Sequence, residues 1–149
     1  MALQDALTEL VKVVQFRDRD RACCYGLSVS QCYALRTVVR DGPLSVNELA
    51  AELVLEKSTA SRLAAGLVDS GYVRKVPDPD DARSVRIEAT PQGYSMHEQL
   101  GQDLAVQYGK LLSDFSWTER ARVVEALRRL ASAVSRGVET AGGRCCVVE

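Results

Sequence analysis

The chain carries a single histidine, His97, and has no Cys-x-x-Cys pair and no glycine-rich phosphate loop. No histidine lies near a cysteine in the sequence. These gaps leave a small thiol enzyme doing redox or metalloid chemistry as the weaker reading. No apolar stretch approaches the roughly 20 residues that a membrane span requires, so no membrane partner is expected. The opening "MALQDALTEL" places acids early and has no basic segment ahead of an apolar one, so no signal peptide is expected either. A cytoplasmic, reducing location follows as the expectation. In such a compartment cysteines are free, metal-bound or reactive more often than paired. Five of them is also an odd count for a complete disulfide framework. An excess of charge is missing as well, since the net value is −1. Any binding to nucleic acid must therefore rest on a local patch. Internal repeats and low-complexity segments are absent.

What is present is an ordinary globular composition: 149 residues, 46% hydrophobic and 26% charged, enough for one domain with a sizeable core. Most of the hydrophobic pattern is helical. Leu3, Leu7, Leu10 and Val14 form one seam and predict a helix over residues 2–20. Ser28 and Gln31 form a capping box, which predicts a helix from Ser28 to about Asp41, stopped by Gly42-Pro43. A second box, Ser45 with Glu48, opens a short helix. A turn at Val54 to Glu56 leads into another helix, about Lys57 to Ser70, with Ala60, Leu63, Ala64, Leu67 and Val68 inward and Gly71 closing it.

The period changes at Tyr72. "YVRKV" and "SVRIEA" alternate like strands on either side of the turn-rich "PDPDDAR", which predicts a hairpin with a projecting loop. Thr90-Pro91 then starts a long helix to about Ser113, with Leu100, Leu104, Tyr108, Leu111 and Phe115 on one stripe. A third box, Ser116 with Glu119, opens a final helix to about Glu139, with Val123, Leu127, Leu130, Val134 and Val138 inward. The glycine-broken "AGGRCCVVE" reads as a mobile tail over residues 140–149.

The expected fold is thus mainly α: a winged helix-turn-helix with long N- and C-terminal dimerisation helices, six helices and a two-stranded wing in all. The winged lobe spans residues 28–90 of a single domain. The stripes over residues 2–20 and 92–139 are too long to be buried against so small a lobe. They are expected to pack on each other and on a second copy, giving a two-fold homodimer.

Such a lobe suits double-stranded DNA. Its second helix can enter a major groove and its hairpin can reach the flanking minor groove. Lys57, Ser58, Thr59, Ser61 and Arg62 crowd the first turns of that helix, where small hydroxyls and long cations reach phosphates or base edges. Ser58 has a second reading, as the helix N-cap. From Lys57 to Arg86 six basic residues face four acidic ones, a modest local excess on a chain of net charge −1.

"LSVSQCYAL", "LSVNELAAELVLEKSTASRLAAGLVDSGYV" and "PDPDDARSVRIEATPQG", taken in order, resemble the MarR family of bacterial transcriptional regulators. The resemblance runs from about Leu3 to Val138. The family's wing signature appears as Asp81-Ala82-Arg83, followed by Thr90-Pro91-Gln92-Gly93. By that resemblance Arg83 enters the minor groove and Asp81 holds its guanidinium. The resemblance further implies an obligate dimer built by the terminal helices, a pseudo-palindromic operator, and an effector pocket between the dimerisation and DNA-binding parts. The expected function is a dimeric DNA-binding regulator, a repressor. A winged helix used only for protein contacts is a third reading, beside the enzyme.

The cysteines depart from the family's usual phenolic-drug sensor. Cys23 and Cys24 fall in the loop leaving the first helix, and Cys32 in the first turn of the second. Three readings are open. Cys32 can be a small buried hydrophobe, with the pair incidental. The three thiols can form a cup for a soft metal or metalloid: zinc, copper, an iron–sulfur cluster, arsenic or antimony. Oxidation can be the signal, with Arg21 lowering a thiol pKa. Cys145 and Cys146, in the tail, are weaker candidates for the same site.

Overall fold

The computed structural model describes residues 2–19 and 24–140, except for the side chains at 14–19, 24 and 137–140. Cys23, Cys145, Cys146 and residues 141–149 of the segment read as a tail lie outside the described residues, whereas Thr140 ends the last helix. The chain forms helix α1 (Ala2–Arg19), a single 3-10 turn (Cys24–Gly26), α2 (Val29–Asp41), α3 (Val46–Leu53) and α4 (Lys57–Asp69). Strands β1 (Val73–Pro77) and β2 (Val85–Ala89) follow, then α5 (Pro91–Leu111) and α6 (Trp117–Thr140). Among the described residues, six α-helices and a two-stranded antiparallel wing make the architecture expected. The 3-10 turn was not legible, because one short turn leaves no periodicity to read.

The chain divides into two compact units, Met1–Gly101 and Gln102–Glu149. In the first, α2, α3, α4 and the wing close around Leu35, Val38, Leu49, Leu67, Val73 and Ile87, all buried. Met96 and Leu100, from the first part of α5, pack against the same core. The strands pair in register, Val73 opposite Ala89 and Pro77 opposite Val85. Leu44 adds a one-residue third rung: its N–H donates to the Ile87 carbonyl at 3.0 Å and its carbonyl accepts the Ile87 N–H at 2.7 Å.

The local signals form as read. Both Ser28–Gln31 and Ser45–Glu48 are complete capping boxes, and at α6 the Ser116 N–H donates to the Glu119 carboxylate at 2.8 Å. Helix α4 ends in a Schellman turn. The Gly71 N–H reaches the Val68 carbonyl at 2.9 Å, the Tyr72 N–H reaches that of Leu67 at 3.0 Å, and Gly71 takes φ +75°. The Ser58 capping reading is corrected. Glu56 is the N-cap of α4 and makes no side-chain cap bond, so Ser58 sits inside the first turn. The tight turn before α4 places Val54 at φ 53°, a left-handed position that a β-branched residue rarely adopts.

Thr90-Pro91-Gln92-Gly93 has a packing explanation. The Thr90 hydroxyl donates to the Gly71 carbonyl at 2.6 Å and accepts the Gly93 N–H at 3.1 Å, capping α5 onto the end of α4. Gly93 is buried where α5 meets the Tyr72 backbone, and a Cβ built there would lie 2.0 Å from the Tyr72 carbonyl oxygen.

Among the described residues, much of the stripes read on α1, α5 and α6 is left exposed, although Leu7, Leu100, Val123 and Leu130 are partly buried. On α1, Leu3 and Leu10 are exposed. On α5 the same holds for Leu104, Tyr108 and Leu111, and on α6 for Leu127 and Val134. Trp117, at the start of α6, is 85% exposed. Among the described residues no helix is long and apolar enough to cross a membrane.

Candidate nucleic-acid interface

Helix α4 is held by its buried face, Ala60, Ala64 and Leu67, which fixes the direction of the opposite one. Ser58 and Arg62 lie on that opposite face and are exposed, Lys57 and Ser61 are exposed beside it near the start of the helix, and Thr59 is half-buried. The Arg62 guanidinium donates to the Thr59 hydroxyl at 3.4 Å. Because no side chain caps α4, the backbone N–H groups of Lys57 and Ser58 stand at the positive end of the helix, next to a lysine and an arginine. Such an end is suited to a phosphate oxygen.

The wing presents a second cationic element. At its tip the Asp81 carboxylate accepts the Arg83 backbone N–H at 2.9 Å and the Ser84 hydroxyl at 2.7 Å. The hydroxyl of Ser84 and then the N–H of Arg83 hold the Asp81 carboxyl below the usual carboxylate range. The expected contact between Asp81 and the Arg83 guanidinium is not what the structure shows. Asp81 shapes the turn through the backbone and leaves the guanidinium exposed on the tip.

The basic patch counted from the sequence is smaller in space. Arg74 pairs across the hairpin with Glu88 at 2.6 Å. Arg86 turns inward, donating from Nε to Asp78 at 2.8 Å and from Nη1 to the Pro43 carbonyl at 3.0 Å, with Glu48 at 3.5 Å. Lys57, Arg62, Lys75 and Arg83 pair with no carboxylate among the described residues. The usable positive charge thus comes from the start of α4 and from the wing. The Arg86 cluster was missed by sequence reasoning. Its acceptors come from a loop, a helix and a strand end far apart in the chain, and one of them is a backbone carbonyl that no residue pattern reports.

The candidate thiols are only partly in view. Cys32 is partly buried and packs against the core of the first unit. Cys24 opens the 3-10 turn, followed by Tyr25 at φ 76° and Gly26 at φ 78°. The Tyr25 hydroxyl accepts from the Gln99 side chain at 2.8 Å, tying this turn to α5. Among the described residues no three histidine, cysteine, aspartate or glutamate side chains gather as a metal site would need.

Comparison with known proteins bears on this geometry. Residues 25–84 match the model of the MarR family. The HTH-type transcriptional regulator YxaD of Bacillus subtilis is 28% identical over 127 residues, covering 85% of this chain and 89% of that protein. The structure of a MarR family protein from Bacillus stearothermophilus superposes with a TM-score of 0.78 at 25% identity, covering 90% of this chain and 94% of the other. FabT of Streptococcus pneumoniae, solved in complex with DNA, shares the fold with a TM-score of 0.74 at 17% identity, covering 91% of this chain and 96% of its own.

Proposed function

We propose that this chain, which is similar to MarR-family transcriptional regulators over most of its length, is a DNA-binding regulator that works as a homodimer on a pseudo-palindromic operator, as a repressor released by chemistry at its cysteines. The observation that carries the DNA-reading part is the pairing of two cationic elements on one rigid core. Lys57, Ser58, Thr59, Ser61 and Arg62 on α4 meet the major groove, and Arg83 on the wing meets the flanking minor groove. Asp81 supports Arg83 by fixing the turn that carries it. Repression needs only occupancy of the site, and occupancy is what such a lobe supplies.

Arg83→Ala is expected to weaken operator binding by about 1–3 kcal/mol and to lower the salt dependence by roughly one counterion. Fluorescence anisotropy at several salt concentrations, on a duplex selected from a random pool by the wild-type protein, measures both. Wild-type affinity at low and at physiological salt would remove the wing from the interface.

The dimer is supported by the exposed parts of the apolar stripes on α1, α5 and α6. In the dimer the two α4 helices must stand about 34 Å apart to meet successive major grooves on one face. Any ligand that favours another spacing draws the population away from the DNA-competent form.

The cysteine part is supported by chain position. Cys24 and Cys32 flank a short segment with two left-handed residues, and Cys32 rides on the helix that packs beneath α4. Ligation by a soft metal or metalloid through Cys23, Cys24 and Cys32, or their oxidation, would press on that helix. Protein purified without oxygen is expected to show either bound metal with about three protected thiols per chain, or a peroxide-sensitive affinity for DNA. Five freely reactive thiols, with DNA binding unmoved by soft metals and by peroxide, would leave the cysteines as packing.

A further inference from the structure

Arg86 is the one cation of the wing drawn into a network that crosses elements. Its Nε donates to Asp78 at 2.8 Å, and its Nη1 donates to the Pro43 carbonyl at 3.0 Å and faces Glu48 at 3.5 Å. Each of these partners is already committed to local structure. Glu48 closes the capping box of α3 by accepting the Ser45 N–H at 2.8 Å. Asp78 accepts the Asp80 N–H at 2.9 Å, and its own N–H donates to the Ser84 carbonyl at 3.0 Å across the base of the wing loop. Arg86 therefore joins the start of the first helix of the helix-turn-helix to the base of the loop that carries Arg83. The Leu44–Ile87 rung lies beside it and pins the same strand. Only a planar, forked cation can meet three acceptors set in different directions; a lysine offers a point charge to one or two of them.

We propose that Arg86 is a positioning residue for DNA recognition: it touches no DNA, and it sets the angle between wing and helix-turn-helix so that Arg83 meets the minor groove while α4 occupies the major groove. This rests on the reading of Arg83 given above. Val73, Ile87 and Ala89 anchor the ribbon in the core, and beyond them a two-stranded ribbon is free to swing, a movement that is magnified at the tip. The Arg86 network spans the gap that such a swing would open.

The test is a double-mutant cycle between Arg86 and Arg83 on the full-length protein, with the duplex selected by the wild-type chain. Arg86→Met is expected to weaken binding about tenfold and to lower the salt dependence as Arg83→Ala does, whereas in the Arg83→Ala background it should change affinity by less than about twofold. Arg86→Lys should fall between Met and wild type. Hydroxyl-radical footprints of Arg86→Met should lose protection in the flanking minor grooves and keep it under α4. Circular dichroism checks that each variant is folded, and Arg86→Lys carries the cycle if Arg86→Met is not. Additive losses, or an Arg86→Met with wild-type affinity and footprint, would overturn the proposal. An Arg83→Ala that binds as wild type would overturn the wing reading and this inference with it, whereas a weakened Arg83→Ala beside an unaffected Arg86→Met would sink this inference alone.

Discussion

A chain carrying Leu127→Glu together with Val134→Glu is expected to sediment as a monomer and to lose operator affinity by roughly 100-fold or more. The two residues lie seven apart on α6, on one stripe, and are 48% and 65% exposed in the single chain. Glutamate at either position therefore disturbs little within the protomer. In a dimer that covers this stripe, the same carboxylates would be buried against apolar side chains without partners, at a cost of several kcal/mol. Once the dimer parts, each half-site must be bound separately. The second contact then no longer benefits from an effective concentration in the millimolar range, and that loss sets the size of the effect. The winged unit has its own core and should keep its helical signal. Sedimentation velocity, circular dichroism and anisotropy on one preparation separate these effects. An intact dimer with wild-type affinity would place the interface elsewhere.

The second large effect is on stability. Gly93→Ala places a methyl group 2.0 Å from the Tyr72 carbonyl oxygen and 3.0 Å from the carbonyl carbon. That carbonyl cannot retreat cheaply. It accepts the Thr90 N–H at 3.0 Å, while the Tyr72 N–H closes the end of α4 at 3.0 Å. Helix α5 must lift from the core instead, loosening Met96 and Leu100 from it. The expected cost is about 3 kcal/mol, the upper end for overpacking, out of a total near 5–15 kcal/mol. Thermal unfolding should begin on the order of 10 °C earlier. Gly66→Ala is the control, because there the new Cβ meets only the end of the flexible Gln31 side chain, at 2.6 Å, whose movement strains no backbone and weakens at most its cap bond to the Ser28 N–H. Its effect should stay within about 1 kcal/mol of wild type. Equal melting of Gly93→Ala and wild type would mean that α5 does not approach the Tyr72 backbone so closely.

The features of this chain that are legible in its letters are the local ones. Capping boxes, the Gly71 stop and the alternation of Val85, Ile87 and Ala89 are set by hydrogen bonds and side-chain periods within a few residues, so they are written in neighbouring letters. The helix-turn-helix and wing follow from their order. Ser58 shows the limit even of local signals: a residue able to cap a helix does so only if the helix starts there, and the turn through Val54 starts it at Lys57 instead. Thr90 to Gly93 could be matched as a motif, but the reason for the glycine, a backbone contact with Tyr72, is not in the motif itself.

By itself, the sequence determined which segments are helix and strand and which family they resemble, because short-range periods and caps decide those matters. Only the tertiary structure decided which cations are spent on the protein and which are left for a duplex. Arg86 and Arg83 are three residues apart and chemically identical, but one faces Asp78, Glu48 and the Pro43 carbonyl and the other faces solvent. The partner of a charge is whatever the fold brings within reach, and the chain folds acceptors from residues 43, 48 and 78 around one guanidinium and, among the described residues, no carboxylate around the other.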